Sequence, residues 1–171
     1  MRIILNDSCC VIDLRKVGLL RTMLGLPYRM AVVYPLRAYE LMAIPEGEWA
    51  VLEAAGLEVM DVPGELVREA EQVKGGVRGP SFMDCLSFVQ VRALGRENSI
   101  LLTNDRQLRQ LAVSHHLDAH GTLWLLEELR VHGLLGAPEC AAVLEAWAED
   151  PTVRLPQEEV RSRLEEYRKN V

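Results

Sequence analysis

Four carboxylates in this sequence stand where chemistry on a divalent cation would need them. Asp7 directly follows the apolar run Arg2-Ile3-Ile4-Leu5-Asn6, and Asp105 follows Leu101-Leu102-Thr103-Asn104, so each falls just beyond a short strand. Asp84 opens an apolar helical pattern in Ser81-Phe82-Met83-Asp84-Cys85, and Glu40 lies in Tyr34-Pro35-Leu36-Arg37-Ala38-Tyr39-Glu40-Leu41. Open α/β sheets bind ligands outside the carboxyl ends of their strands, and hard cations take oxygen ligands. Gathered at one sheet edge, Asp7, Glu40, Asp84 and Asp105 would hold magnesium or manganese. A cation held there neutralises phosphate oxygens and activates a water, so the pattern points to metal-dependent phosphodiester hydrolysis.

The same residues have plainer readings. Ser81-x-x-Asp84 has the form of a capping box, and Asp105 that of a simple N-cap. Asp13, Asp61 and Glu65 are read as solvated or capping acids outside the site. Ser8 and Asn104 stand beside the proposed ligands as supporting groups. Lys74, Arg78, Arg106 and Arg109 are candidate phosphate contacts by their nearness in sequence to Asp84 and Asp105, although exposed basic residues usually need no such role. His116 and His120 have helical metal-pair spacing without further ligands. Trp124, Leu125 and Leu129 form an apolar helical stripe, read first as core.

Parallel strands are expected over Arg2–Asn6, Met30–Tyr34, Leu57–Val62 and Ser99–Thr103. Helices are expected over Pro35–Ala43, Gly47–Ala55, Glu65–Val73, Ser81–Leu94 and Arg106–His115, with a last one over Gln157–Lys169. Gly75-Gly76-Val77-Arg78-Gly79-Pro80 is the clearest breaker cluster, and Ala137-Pro138 and Asp150-Pro151 punctuate the C-terminal third. The order implies an α/β fold with a mostly parallel central sheet flanked by helices.

With 171 residues the chain suits one core and needs no staples. No apolar run approaches the ~18 residues of a membrane span, and no leader pattern opens the chain, so a soluble cytoplasmic protein is expected. Cys9, Cys10, Cys85 and Cys140 show no C-x-x-C pair and read as reduced thiols, with Cys9 an apolar filler rather than a nucleophile. The formal charge of −6 and pI near 5.3 argue against a broad basic face for nucleic acid. Any contact with a polyanion must therefore be local.

Asp7-Ser8, Tyr39-Glu40-Leu41, Ser81-x-x-Asp84 and Thr103-Asn104-Asp105-Arg106-x-Leu108-Arg109, continuing to Gly121-Thr122-Leu123-Trp124-Leu125-Leu126, together resemble the PIN-domain nucleases, in particular the VapC-type toxin ribonucleases. The resemblance implies a PIN-like domain over residues 1–150 with a helical extension over 151–171 packing on the domain or a partner. It implies that Asp7, Glu40, Asp84 and Asp105 are catalytic metal ligands for Mg2+ or Mn2+, with Ser8 at the small hydroxyl position. It further implies cleavage of single-stranded or structured RNA, a homodimer, and restraint by a small antitoxin protein, with the face around Trp124 and Leu125 open to such contacts. Asn104 departs from relatives that carry another carboxylate there. The alternative is a catalytically silent PIN-like module that binds RNA or protein.

Overall fold

The computed structural model describes residues 1–169. Its elements in chain order are β1 (Ile3–Asn6), α1 (Ser8–Lys16), α2 (Leu20–Met23), β2 (Arg29–Val33), α3 (Tyr34–Tyr39), α4 (Glu46–Ala54), β3 (Glu58–Met60), α5 (Gly64–Gly76), α6 (Phe82–Leu94), β4 (Ser99–Leu102), α7 (Arg106–Ser114), β5 (Ala119–His120), α8 (Thr122–Val131), α9 (Ala137–Glu149) and α10 (Gln157–Lys169). The five strands form one sheet in the order β3-β2-β1-β4-β5, and every pairing is parallel.

Parallel strands covered on both faces read as continuous apolar runs. β1 and β4 are buried at every position, and β2 at all but its first. Connections between parallel strands are right-handed, so the chain winding outward from β1 to β3 and then from β4 to β5 puts helices on both faces. Two helical groups result: α6 packs against α5 and α7, and α8 against α1, α2 and α9. Trp147 of α9 donates its indole N–H to the carbonyl of Asp13 at 2.9 Å, a buried tie between α9 and α1.

α6 carries seven consecutive buried residues, Cys85 to Val91, and starts at a complete capping box in which Ser81 Oγ accepts from the Asp84 amide and Asp84 Oδ2 accepts from the Ser81 amide. α10 forms where the alternating charges and the Val160, Leu164, Tyr167 stripe place it, and packs on α9. Tyr167 donates to Glu127 of α8 at 2.9 Å, so this helix lies against its own chain.

Three of the departures from the expected elements have a local cause. α3 ends at Tyr39, because Leu41 returns its amide to the Leu36 carbonyl and closes the helix with Glu40 as its C-cap. α5 runs through Gly75 and Gly76, and the break comes at Val77 in extended conformation. Pro138 lies inside the first turn of α9 rather than between elements; a missing amide costs nothing there.

Candidate metal-dependent active site

The strand order reverses between β1 and β4, whose carboxyl ends lie side by side: the Asp7 amide donates to Leu102 O at 2.9 Å. This reversal is the switch point at which open α/β sheets form their ligand crevice. Here it opens into a cleft of about 450 Å³ whose lining includes Asp7, Glu40, Asp84 and Asp105. Asp7 and Asp105 leave the ends of the two adjacent strands, Asp84 comes from the start of α6, and Glu40 from the end of α3. All four expected acids therefore meet one cavity, with Ser8 and Asn104 beside them.

Each aspartate also stands at a helix N-terminus. Asp7 caps α1, accepting from the Ser8 amide at 2.8 Å; Asp105 caps α7, accepting from the Leu108 amide at 2.7 Å; Asp84 occupies the third position of α6. The capping readings are thus correct for Asp84 and Asp105, and they leave oxygen free. Only Oδ2 of Asp84 and only Oδ1 of Asp105 accept a hydrogen bond among the described residues.

Asp7 is the most constrained of the set. It is buried, and its Oδ2 accepts from Thr103 Oγ1 at 2.8 Å and from the Cys9 thiol at 3.1 Å. Thr103 Oγ1 in turn accepts from the Asp105 amide at 3.0 Å, so one hydroxyl fixes both aspartates across the seam. Burial pushes the Asp7 carboxyl up from 3.8 to about 6; the hydrogen bonds from Cys9 and Thr103 pull it back only partly, and the charge of Asp84 adds to the rise.

Asp13, expected outside the site, lines the same cleft. It is buried, its carboxyl raised by desolvation, and it accepts from Asn104 Nδ2 at 3.2 Å. The same amide group donates to Thr122 Oγ1 at 3.0 Å and accepts from the Thr122 amide at 2.9 Å. A carboxylate at position 104 could not donate to Asp13, which accounts for asparagine there. Gly121 permits this bridge: a Cβ at 121 would fall 2.7 Å from Asn104 Oδ1. Lys16, Thr152 and Arg154 also line the cleft and were not singled out in the sequence. Lys16 pairs with Asp150 at 3.0 Å, which leaves Arg154 as the lining cation without a carboxylate partner among the described residues.

The expected phosphate-binding set divides. Lys74 and Arg78 are exposed and do not line the acidic cleft. Arg109 is turned to structural use, donating from Nη2 to the Thr103 carbonyl at 3.0 Å. Arg106 is exposed at the start of α7. His116 closes α7 with a φ of 59°, while His120 stacks on Trp124 at 4.3 Å and pairs with Asp118, so the two histidines form no joint site. Leu125 and Leu129 are fully buried in the core, whereas Trp124 is partly buried and packs its ring against Tyr28 and His120.

Among the described residues no three histidine, cysteine, aspartate or glutamate side chains are preassembled around one point as an ion cage. Magnesium does not require one, since it keeps several waters and binds through one or two carboxylates. An all-oxygen acid set with two unengaged aspartate oxygens, in a cleft roomy enough for coordinated water, fits that mode. No helix among the described residues is long and apolar enough to cross a membrane. Neither a known protein family nor a curated protein matches the chain.

Proposed function

We propose that this protein is a metal-dependent endoribonuclease whose site is formed by Asp7, Glu40, Asp84 and Asp105. The observation that carries the reading is their convergence, from four separate elements, on one cleft at the strand-order reversal. Asp7, raised by burial, would be relieved by a positive neighbour, and Thr103 ties its carboxylate to the backbone of Asp105. Asp7, Glu40, Asp84 and Asp105 would hold magnesium or manganese, which would supply neutralisation of the phosphate and an activated water. Asp84 and Asp105, fixed by their amide bonds, offer their remaining oxygens as ligands or to orient that water. Role as a toxin component, self-association and restraint by a small antitoxin protein belong to the proposal through the family resemblance. Native mass measurement of the chain, alone and with the product of a neighbouring small gene, tests them.

The capped aspartates and the lack of a preassembled cage favour a second reading, a silent module that binds RNA without cutting it. Incubation with single-stranded RNA in magnesium or manganese separates the two. Cleavage that EDTA stops and Asp84→Asn abolishes supports the nuclease; RNA binding without cleavage in either metal supports the silent module.

A further inference from the structure

A second cleft, of about 960 Å³, adjoins the acidic one, and the two share Asn104 and Arg154. It lies between α7 and the connector from α9 to α10. Its chemistry is the reverse of its neighbour's. Arg106, Arg109 and Arg154 line it and no carboxylate does, whereas the acidic cleft is lined by five. Arg106 and Arg154 are exposed and form no ion pair among the described residues. Arg109 keeps a buried Nε without a partner. In a chain of net charge −6, three guanidiniums in one carboxylate-free cavity are a marked local departure.

The rest of the wall is apolar. Val113 of α7 faces the cleft with Leu155 and Pro156 of the connector, and Asn104 and Gln110 add amide groups. The volume is that of a small-molecule site. An occupant must satisfy arginines, lie on an apolar wall, and continue into a cleft that demands a cation. A nucleotide chain meets all three conditions: its phosphate pairs with guanidinium, its base packs on apolar and guanidinium surfaces, and its next phosphate reaches the cation.

We propose that this cleft is a nucleotide subsite, holding the phosphate and base that flank the bond presented to the acidic cleft. Arg106 and Arg154 take the phosphate, and Val113, Leu155 and Pro156 receive the base. The inference rests on the nuclease reading and deepens it, because a base meets this wall only when it is free of a partner strand. The substrate is therefore single-stranded at this position, and the connector preceding α10 belongs to the binding surface.

Fluorescence anisotropy of a short labelled single-stranded RNA with the full chain, in EDTA at low ionic strength, reads this subsite apart from cleavage. Arg106→Glu combined with Arg154→Glu is expected to weaken binding about tenfold or more and to lower the salt dependence by about 0.7 in log–log slope per lost phosphate contact. Val113→Trp, which fills the cleft without changing charge, is expected to weaken binding at unchanged salt slope. Arg96→Glu, an exposed reversal beside the amino end of the sheet where its carbonyl meets Arg2, should change binding by less than about twofold. Thermal melts confirm that each variant is folded. The proposal is overturned if the cleft variants bind as the parent does, if a duplex of the same sequence binds equally well, or if polyglutamate displaces the RNA at equal charge. Binding through this cleft by a chain that never cuts RNA upholds the subsite and removes the nuclease reading. Undiminished cleavage by the double variant does the opposite.

Discussion

Asp7→Asn should make the metal-free protein more stable above pH 6 and leave it no more stable at pH 4. The Asp7 carboxyl is raised in the folded state from 3.8 to about 6, chiefly by burial. A carboxyl raised on folding favours the protonated fold, so its contribution is fully present below the unfolded value and is lost as pH rises through the folded one. At 1.36 kcal/mol per pKa unit, the ionised side chain costs the fold about 3 kcal/mol at neutral pH. Asparagine removes that charge, but its single acceptor oxygen cannot serve both the Ser8 amide on one side and Thr103 and Cys9 on the other, which costs about 1 kcal/mol. The net gain is about 2 kcal/mol above pH 6, or roughly 4–8 °C in melting temperature for a chain of this size. Urea unfolding in EDTA from pH 4 to 8 measures it. The difference between variant and parent should grow across pH 4 to 6 and then level off. Magnesium or manganese should restore the parent by about 2.7 kcal/mol at a hundred times the dissociation constant, and the variant far less. A pH-independent difference, or a variant less stable than the parent at pH 8, would refute the reasoning.

Asp105→Asn retains an N-cap of nearly equal strength, so metal-free stability should change by less than about 0.5 kcal/mol while metal-induced stabilisation and RNA cleavage are lost. Unchanged metal stabilisation would remove Asp105 from the site. Trp147→Phe breaks the buried indole bond to the Asp13 carbonyl and leaves a void between α9 and α1, which should cost about 2–4 kcal/mol by chemical denaturation. A loss under 1 kcal/mol would show that α9 contributes little to holding α1 under the cleft.

β1, β2 and β4 were legible because they are buried on both faces and so read as unbroken apolar runs, whereas the two-residue β5 was not. The aspartates were legible because sheet order and chain direction put the ends of β1 and β4 together. Asp13, Lys16 and Arg154 were not. Asp13 has no motif around it, and its place in the cleft comes from the facing of α1 and from Asn104, 91 residues away in sequence. Arg154 arrives only because α9 and its tie to α1 carry the connector back over the carboxyl edge of the sheet. Thr103 had a readable signal, a hydroxyl between a buried strand and an N-cap, but its bond to Asp7 depends on the neighbouring strand. The helix α9 was hidden by taking Pro138 as punctuation, although proline is as much at home in a first helical turn.

Five carboxylates around one cleft would repel strongly unless something offset them, and the fold supplies an offset before any cation arrives. α1, α6 and α7 all begin at the cleft, each with an aspartate in or just before its first turn. A helix N-terminus carries the equivalent of about half a positive charge, so three of them compensate part of the acid cluster through the amides that also fix the aspartate rotamers. For Asp84 and Asp105, capping and the proposed ligation are therefore compatible uses of one carboxylate: an amide takes one oxygen and fixes the side chain, and the other oxygen accepts no hydrogen bond among the described residues. Asp7, buried, remains raised to about 6 despite its own cap, so positive charge bound beside it would relieve it. A cation neutralising the acids, as the proposed function requires, would leave the three helix ends and Arg154 to make the cleft attractive to anions. An acidic protein would then accept a polyanion at this one place without a basic surface elsewhere.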